Sequence, residues 1–273
     1  MTVPLTALNA IDGRAIIATL HLPDLGVQRD LSMAFLEDYV LRNAAIFAEA
    51  GVPALMLQDQ TRQVGLASPA TIAITATLGR LIRHHHPDMA LGIIVQAHDA
   101  VAPLAIAHAA GASFVRLKVF VGAAMNAEGP RDGLAVAARS FRHDLRRDDI
   151  VILADVFDRT NRPLLDVPPA EAAIMAQTLG ADGLILTGDT FAGSLDRIRA
   201  ARAAGVRRPM LVGRHHHREP RRHGGGGRWR RRVQLADAAG CGPRQRAAMG
   251  CQPHAALHGR GARPARTDGR PGP

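Results

Sequence analysis

The sequence predicts an α/β protein with the (β/α)8 architecture of a TIM barrel. Seven short apolar runs rich in β-branched residues alternate with segments of helical periodicity, which is typical of parallel strands buried on both faces. Several of the intervening helices end at a Gly followed by Ala or Val, and the units are evenly spaced. No Gly-x-Gly-x-x-Gly follows the first strand, which disfavours a doubly wound dinucleotide-binding sheet.

The predicted elements follow in order along the chain. A first helix is expected over Ser32–Ala50, and a second begins at Ser68, whose side chain can cap it before Pro69 in the first turn. His98 and Asp99 are expected to cap the third helix, and a loop is expected from residue 121 to residue 133. The seven predicted strands are Ala15–His21, Pro53–Gln58, Leu91–Gln96, Phe114–Phe120, Ile150–Val156, Gly183–Thr187 and Pro209–Gly213.

The positive charge is confined to the C-terminal part of the chain. The formal net charge is +10, yet the 60 residues from Arg214 onward contain 14 Arg against 3 acidic residues. Met1–Gly213 is therefore close to neutral, with a formal net charge of −1. A basic nucleic-acid-binding protein would rest on the tail alone, so we expect no specific nucleic-acid partner.

The tail after Gly213 lacks hydrophobic periodicity and is rich in Arg, Gly, Pro and His, as a GC-rich coding region is when read out of frame. Shifting permitted codons for Arg214–Ala238 by one nucleotide gives a Gly-Ile-Thr loop, an amphipathic helix and an Ala-Asp-Gly-Ala-Val-Val strand. We therefore interpret residues 1–213 as an incomplete barrel. Residues 214–273 are interpreted as a frameshifted, disordered basic tail that replaces the eighth strand.

Cysteine usage and hydropathy favour a cytoplasmic protein. Both cysteines, Cys241 and Cys251, lie in the tail, and the N-terminus lacks the basic and apolar regions of a signal peptide. No apolar run approaches the length of a membrane span. No metal ion or cofactor is expected, because the tail histidines fit out-of-frame composition better than a ligand set. The sequence leaves a homo-oligomer open.

Polar residues at the strand ends are the candidate catalytic groups. Asp155 ends the fifth apolar run, and in parallel α/β folds that end of a strand faces the ligand. We expect Asp155 to act as an acid or base with Lys118 as its electrostatic partner, while His21 and Asp59 orient a substrate. The alternatives are that Asp155 caps a turn or pairs with Arg159, or that it forms an interior ion pair with Lys118.

Seven blocks of the sequence match the pattern of a known family: His21–Pro23, Ala105–Ala107, Gly111–Arg116, Gly122-Ala123, Ala154–Val156, Arg162–Leu164 and Ala181–Gly188. Through these blocks the sequence resembles the BtpA/SgcQ family from about Ile11 to Gly213. The stretch from Gln58 to Arg62 departs from the family pattern, which has a Glu-Asn-Phe type of sequence there.

The resemblance implies a barrel of the ribulose-phosphate-binding type. It also implies a small phosphorylated ligand, and lyase or isomerase chemistry is compatible with such a site. The alternative is a non-catalytic scaffold, since the family is linked to photosystem I assembly or stability in cyanobacteria. In this type of barrel, Gly188 and the loop after Gly213 would bind the phosphate. The remaining candidate substrate-binding residues are Gln96, Arg116 and Thr187.

Overall fold

The computed structural model describes residues 16–212 and the strand Arg232–Leu235. Seven parallel strands form the main sheet, and each apolar run predicted as a strand overlaps one of them. The strands of this sheet are β1 (Ile16–His21), β2 (Ala54–Gln58), β3 (Ala90–Ile94), β4 (Phe114–Leu117), β7 (Val151–Val156), β9 (Gly183–Leu186) and β10 (Met210–Val212).

The strand order identifies the type of sheet. The seven strands are hydrogen-bonded in the order β10-β9-β7-β4-β3-β2-β1, so each strand lies beside its predecessor in the sheet. A doubly wound sheet would reverse direction at a switch point, whereas an uninterrupted order is that of a (β/α) barrel. The predicted fold class is therefore confirmed, with the first seven parallel strands in place.

Two apolar clusters lie on the two faces of this sheet. The larger joins alternate strand residues, such as Leu55 and Leu57, to the apolar faces of the helices. The smaller cluster consists of strand residues alone, from all seven strands, and includes Ile17, Met56 and Phe114. Because residues from all seven strands are buried against one another in the smaller cluster, the sheet curls around an interior. Strict alternation over Phe114–Phe120 would place Phe120 on the same face as Phe114, yet Phe120 belongs to the larger, outer cluster, because β4 ends at Leu117.

The helices begin and end where local signals predict. The Ser68 side chain accepts a hydrogen bond from the Thr71 N–H (3.1 Å), and Pro69 occupies the first turn. Asp99 Oδ1 accepts from the Val101 and Ala102 N–H groups (2.8 and 2.9 Å) at the start of the third helix, as predicted for Asp99, whereas His98, also expected to cap this helix, contacts the Asp132 carbonyl oxygen instead. The helices are α1 (Met33–Glu49), α2 (Pro69–His85), α3 (Ala102–Ala110), α4 (Ala135–Asp144), α5 (Pro169–Thr178) and α6 (Phe191–Ala203).

A small antiparallel sheet takes the place of the predicted loop. Strands β5 (Ala123–Asn126) and β6 (Gly129–Asp132) form a hairpin after β4, and β8 (Arg162–Pro163), which follows β7, pairs with β5. His98 Nε2 lies 2.8 Å from the Asp132 carbonyl oxygen. The hairpin therefore lies beside the carboxyl ends of β3, β4 and β7.

The tail contributes one strand to the main sheet. Strand β11 (Arg232–Leu235) pairs antiparallel with β1, in the register Ile16 to Leu235 and Thr19 to Arg232. This pairing occupies the edge of the sheet at β1, where an open edge would offer a row of backbone donors and acceptors to any extended segment. Within the described ranges, no helix combines the length and hydropathy that a bilayer crossing requires.

Candidate functional site

The strand ends bring a polar cluster to one end of the barrel interior. The side chains of β4 alternate, so that Phe114 and Arg116 face the interior while Val115 and Leu117 face the helices. On β7, Leu153 faces the interior and Asp155, two residues further on, lies at its carboxyl end. Arg116 and Asp155 thereby meet above the apolar interior.

Asp155 forms a bidentate ion pair with Arg116. Arg116 Nε donates to Asp155 Oδ2 at 2.9 Å and Nη2 donates to Oδ1 at 3.0 Å. The Asp155 side chain is 2% exposed and that of Arg116 is 13% exposed. Asp155 therefore forms an interior ion pair, which was one of the alternatives. Its cation is Arg116, however, whereas Lys118 was expected.

Burial dominates the electrostatics of the pair. Desolvation raises the pKa of Asp155 to about 6, against the opposing effect of the Arg116 charge. Burial acts to lower the pKa of Arg116, but the charge of Asp155, its hydrogen bonds to Arg116 and the charge of Asp158 together raise that pKa above its ordinary value. Asp155 is therefore ionised at neutral pH and accepts a proton under mildly acidic conditions.

Lys118 is paired with the amide of Gln96 at the end of β3. Its Nζ donates to Gln96 Oε1, which is a neutral acceptor. Burial lowers the pKa of Lys118, while the charges of Asp158 and Asp155 oppose the shift and that of Arg116 adds to it. Lys118 therefore lies in the electrostatic field of Asp155, although its hydrogen bond is to Gln96.

Asp59 holds the backbone at the end of β2. It is completely buried, and its carboxylate accepts from the N–H of Thr61 (3.0 Å) and the N–H of Gln96 (3.3 Å). Burial raises the pKa of Asp59, and these two bonds oppose the shift. The contacts fix the loop after β2 beside the end of β3, so Asp59 positions Gln96 through its backbone.

The other predicted residues within the described part of the chain form hydrogen bonds through their backbone groups. The carbonyl of His21, at the end of β1, accepts from the Tyr39 hydroxyl at 2.9 Å. Thr187 is buried and its carbonyl accepts from Arg197 at 2.6 Å. The Gly188 N–H donates to Ser194 Oγ at 2.8 Å. Gly213 and the loop after it lie outside the described residues, so the predicted phosphate loop stays a prediction.

A cavity of about 200 Å³ opens beside Lys118 and Gln96. Its lining comes largely from residues that strand-end reasoning did not identify, because they lie in the hairpin and in the loops after β2 and β7. The signal that could have identified Asn161 is its place in the polar stretch Asp158–Asn161 directly after β7. The lining residues are Arg62, Gln63, Gln96, Lys118, Asn126, Ala127, Glu128, Arg131, Thr160 and Asn161.

Backbone strain occurs where β7 leaves the sheet. Phe157 has a φ of 58°, in the left-handed region that a bulky residue rarely adopts. The turn that follows is held by Asp158, whose Oδ1 accepts from the Thr160 N–H at 3.1 Å. Such strain costs on the order of 1–3 kcal/mol and clusters at functional sites. It directs the loop that carries Asp158 and Asn161 toward Lys118.

Metal ligation finds little support in this arrangement. Among the residues that the structure describes, no group of three or more His, Cys, Asp or Glu side chains is placed to hold a metal ion. The cations at the strand ends are Arg and Lys, which bind anions.

The fold and this cluster define a (β/α) barrel protein with a partly buried polar site at the carboxyl ends of its strands. The model of the BtpA family matches residues 12–217. The chain therefore belongs to the BtpA family.

Relatives with similar sequences include archaeal and cyanobacterial proteins. An uncharacterized protein of Archaeoglobus fulgidus is 27% identical over 210 residues, covering 73% of this chain and 81% of the relative. The photosystem I biogenesis protein BtpA of Synechocystis is 34% identical over 128 residues, covering 45% of this chain and 44% of the relative.

Solved structures with a distant likeness include two enzymes. A 2,3-dimethylmalate lyase of the PEP mutase/isocitrate lyase superfamily has a TM-score of 0.47 at 12% identity, covering 78% of this chain and 72% of its own. Oxaloacetate acetylhydrolase in complex with oxalate has a TM-score of 0.45 at 16% identity, covering 77% and 72%. Neither likeness bears on the activity of this chain.

Proposed function

We propose that this protein binds a small phosphorylated metabolite at the carboxyl ends of its strands and catalyses a lyase- or isomerase-type reaction by acid/base chemistry. The observation that carries the proposal is the buried Asp155 carboxylate, whose pKa is raised to about 6 by burial and which lies in the field of the Lys118 ammonium group. A carboxylate and an ammonium group with perturbed pKa values in one site are the groups that such chemistry requires.

Asp155 would serve as the proton acceptor. With a pKa raised to about 6, it is ionised at neutral pH yet basic enough to accept a proton from a substrate C–H or O–H group. Each of its oxygens accepts one hydrogen bond from Arg116, and a carboxylate oxygen has a second lone pair. Arg116 would therefore orient the base without occupying it.

Lys118 would stabilise the negative charge that develops on the substrate. Removal of a proton next to a carbonyl group yields an enolate, and cleavage of a carbon–carbon bond yields a similar anion. An ammonium group beside that oxygen lowers the barrier because it is already oriented by Gln96 before the reaction.

The test is proton exchange at substrate carbon. The full chain is incubated in D₂O with sugar phosphates such as dihydroxyacetone phosphate and ribulose 5-phosphate, and deuterium incorporation is followed by NMR. We expect Asp155→Asn to reduce the exchange rate at least a hundredfold and Asp144→Asn, a change at an exposed residue of α4, to leave it unchanged. Equal rates in wild type and Asp155→Asn would refute the role of the carboxylate.

A second candidate function is a non-catalytic scaffold for the assembly of other proteins. The observation that favours it is that both oxygens of Asp155 are already held by Arg116, as in a purely structural ion pair. Absence of exchange or turnover with the whole panel, combined with a native melting transition, would favour this candidate over catalysis.

A further inference from the structure

We propose that the cavity beside Lys118 is an oxyanion subsite, in which Arg131 is the principal recognition residue for the phosphate or carboxylate group of a small hydroxylated ligand. The groups that would hold the oxyanion are Arg62, Lys118 and Arg131, and Asn161 lines the same cavity beside them. The inference rests on the proposed function in one respect, because the other end of the same ligand would reach Asp155.

The charge of the lining favours an anion. Arg62, Lys118 and Arg131 line the cavity, and Glu128 is the one carboxylate residue among the lining residues. Glu128 is shared between two cations, since its Oε1 lies 3.7 Å from Arg62 and its Oε2 lies 3.4 Å from Arg131. The lining thus contains three cationic residues and one carboxylate residue.

Arg131 has unused donors in a buried position. The residue is 7% exposed, and within residues 16–212 its guanidinium makes one hydrogen bond, from Nη2 to Glu128 Oε2 at 3.4 Å. A guanidinium carries five N–H donors in a planar fork that matches the oxygens of phosphate or carboxylate. A buried charge with so little compensation favours an anionic ligand beside it.

The side-chain oxygen of Asn161 is a hydrogen-bond acceptor that receives no donor within the described residues. Asn161 is 8% exposed, and its Nδ2 donates to Asp158 Oδ2 at 3.1 Å. Its Oδ1 is buried and accepts no hydrogen bond from the described part of the protein. A buried amide oxygen without a partner is costly, and a ligand hydroxyl would satisfy it.

The position of Asn161 links the subsite to Asp155. Asn161 lines both the cavity with Arg131 and a second, narrow cavity lined by Lys118 and Asp155. A ligand hydroxyl on Asn161 would therefore lie between the bound oxyanion and the candidate base. This arrangement selects ligands with an oxyanion and a nearby hydroxyl group.

The subsite also differs from the predicted phosphate site at Gly188. The Gly188 N–H expected to bind phosphate already donates to Ser194 Oγ. Arg131 and Asn161 lie instead on the side of the small antiparallel sheet, next to the ends of β4 and β7. The two locations predict different residues whose substitution weakens binding.

The test is calorimetric titration of the full chain with inorganic phosphate, glycerol 3-phosphate and glycerate. We expect Arg131→Met to raise the Kd of each anion at least tenfold and Arg131→Lys to raise it less, since charge is retained but the fork is lost. The matched control is Arg199→Met on α6, where the exposed Arg199 pairs with Asp196, and its Kd should equal that of wild type. Tighter binding of glycerol 3-phosphate than of glycerate assigns the subsite to phosphate, and the reverse order assigns it to carboxylate.

Two further variants keep the test decisive. Arg62 is largely exposed, so Arg62→Met should fold normally and raise the Kd about threefold or more, even if Arg131→Met loses its cooperative melt. Asn161→Ala should weaken glycerol 3-phosphate and glycerate but leave inorganic phosphate, which lacks the hydroxyl arm, within twofold.

The outcome separates this inference from the proposed function. Asp155→Asn should abolish proton exchange and retain binding of inorganic phosphate, so loss of the chemistry alone leaves the subsite intact. Unchanged anion affinity in a folded Arg131→Met protein, together with unchanged affinity in Arg62→Met, would overturn the subsite whatever the exchange experiment shows.

Discussion

Arg116 and Asp155 approach each other along a diagonal between neighbouring strands. In the register of β4 and β7, Arg116 lies beside Leu153, and Asp155 is two residues nearer the carboxyl end. The long Arg116 side chain covers that distance and binds both carboxylate oxygens. The pair is buried, so its two charges depend on each other for compensation.

Replacement of Arg116, the cation of the buried pair, should lower the free energy of unfolding strongly. Arg116→Met leaves the Asp155 carboxylate buried without its partner, which costs about 3–5 kcal/mol of unfolding free energy at pH 8. The loss should be smaller at pH 5, where the unpaired carboxyl group is protonated. Urea unfolding measures both values, and a change below about 1 kcal/mol at pH 8 would contradict the prediction. The double variant Arg116→Met/Asp155→Leu should recover most of the lost stability.

Asp155 should make stability depend on pH in a defined window. Because its folded pKa is about 6, above the ordinary value of 3.8, the folded state binds the proton more tightly than the unfolded state. The contribution of this group to the unfolding free energy therefore falls as pH rises from about 4 to about 6, by at most about 1.4 kcal/mol per pH unit. In Asp155→Asn this pH-dependent contribution to the unfolding free energy should vanish. Equal pH slopes in the two proteins, measured by urea unfolding, would exclude it.

Gly92 and Phe114 predict a steric effect in the barrel interior. They are register partners on β3 and β4, and a Cβ on Gly92 would lie 2.0 Å from Phe114 Cε2. Phe114 is fully buried, so Gly92→Ala should lower the unfolding free energy by about 1–3 kcal/mol. Adding Phe114→Leu should relieve part of that loss, and the single variant Phe114→Leu completes the cycle. Purely additive effects would contradict the contact.

The reading frame near Gly213 gives a prediction at the nucleotide level. We expect resequencing across the codons for Leu211–His217 to reveal an extra or missing nucleotide whose correction restores a parallel eighth strand. The family match ends at residue 217, close to this position. A protein made from the corrected frame should have a higher melting temperature than the present chain. Confirmation of the present frame by resequencing would refute the frameshift.

The parallel strands were predictable because each is a continuous apolar run buried on both faces. The small antiparallel sheet was not, since Gly129–Asp132 has no apolar alternation and its pairing with β5 and β8 depends on the tertiary structure. Asp59 shows a signal that sequence reasoning could have used. It follows Gln58 at the end of β2, while Met56 faces the interior, so strict alternation turns Asp59 away from the site.

The sequence pattern could not predict which cation pairs with Asp155. Alternation along β4 predicts that Arg116 and Lys118 share the inner face, and the predicted strand ends indicate Asp155. Which cation binds the carboxylate depends on the stagger of β4 against β7 and on the presence of Gln96 as an acceptor for Lys118. These are properties of the assembled sheet.

The pairing of β5 with β8 links the segment after β4 to the segment after β7, so the amide hydrogens of the two segments should exchange together. The segment after β4 and the segment after β7 share a ladder that includes the bond from the Leu164 N–H to the Ala123 carbonyl at 2.8 Å. Neither segment can expose its amides to solvent without breaking bonds to the other. In hydrogen–deuterium exchange the two stretches should therefore open together, with a common protection factor, although almost 40 residues separate them in the sequence.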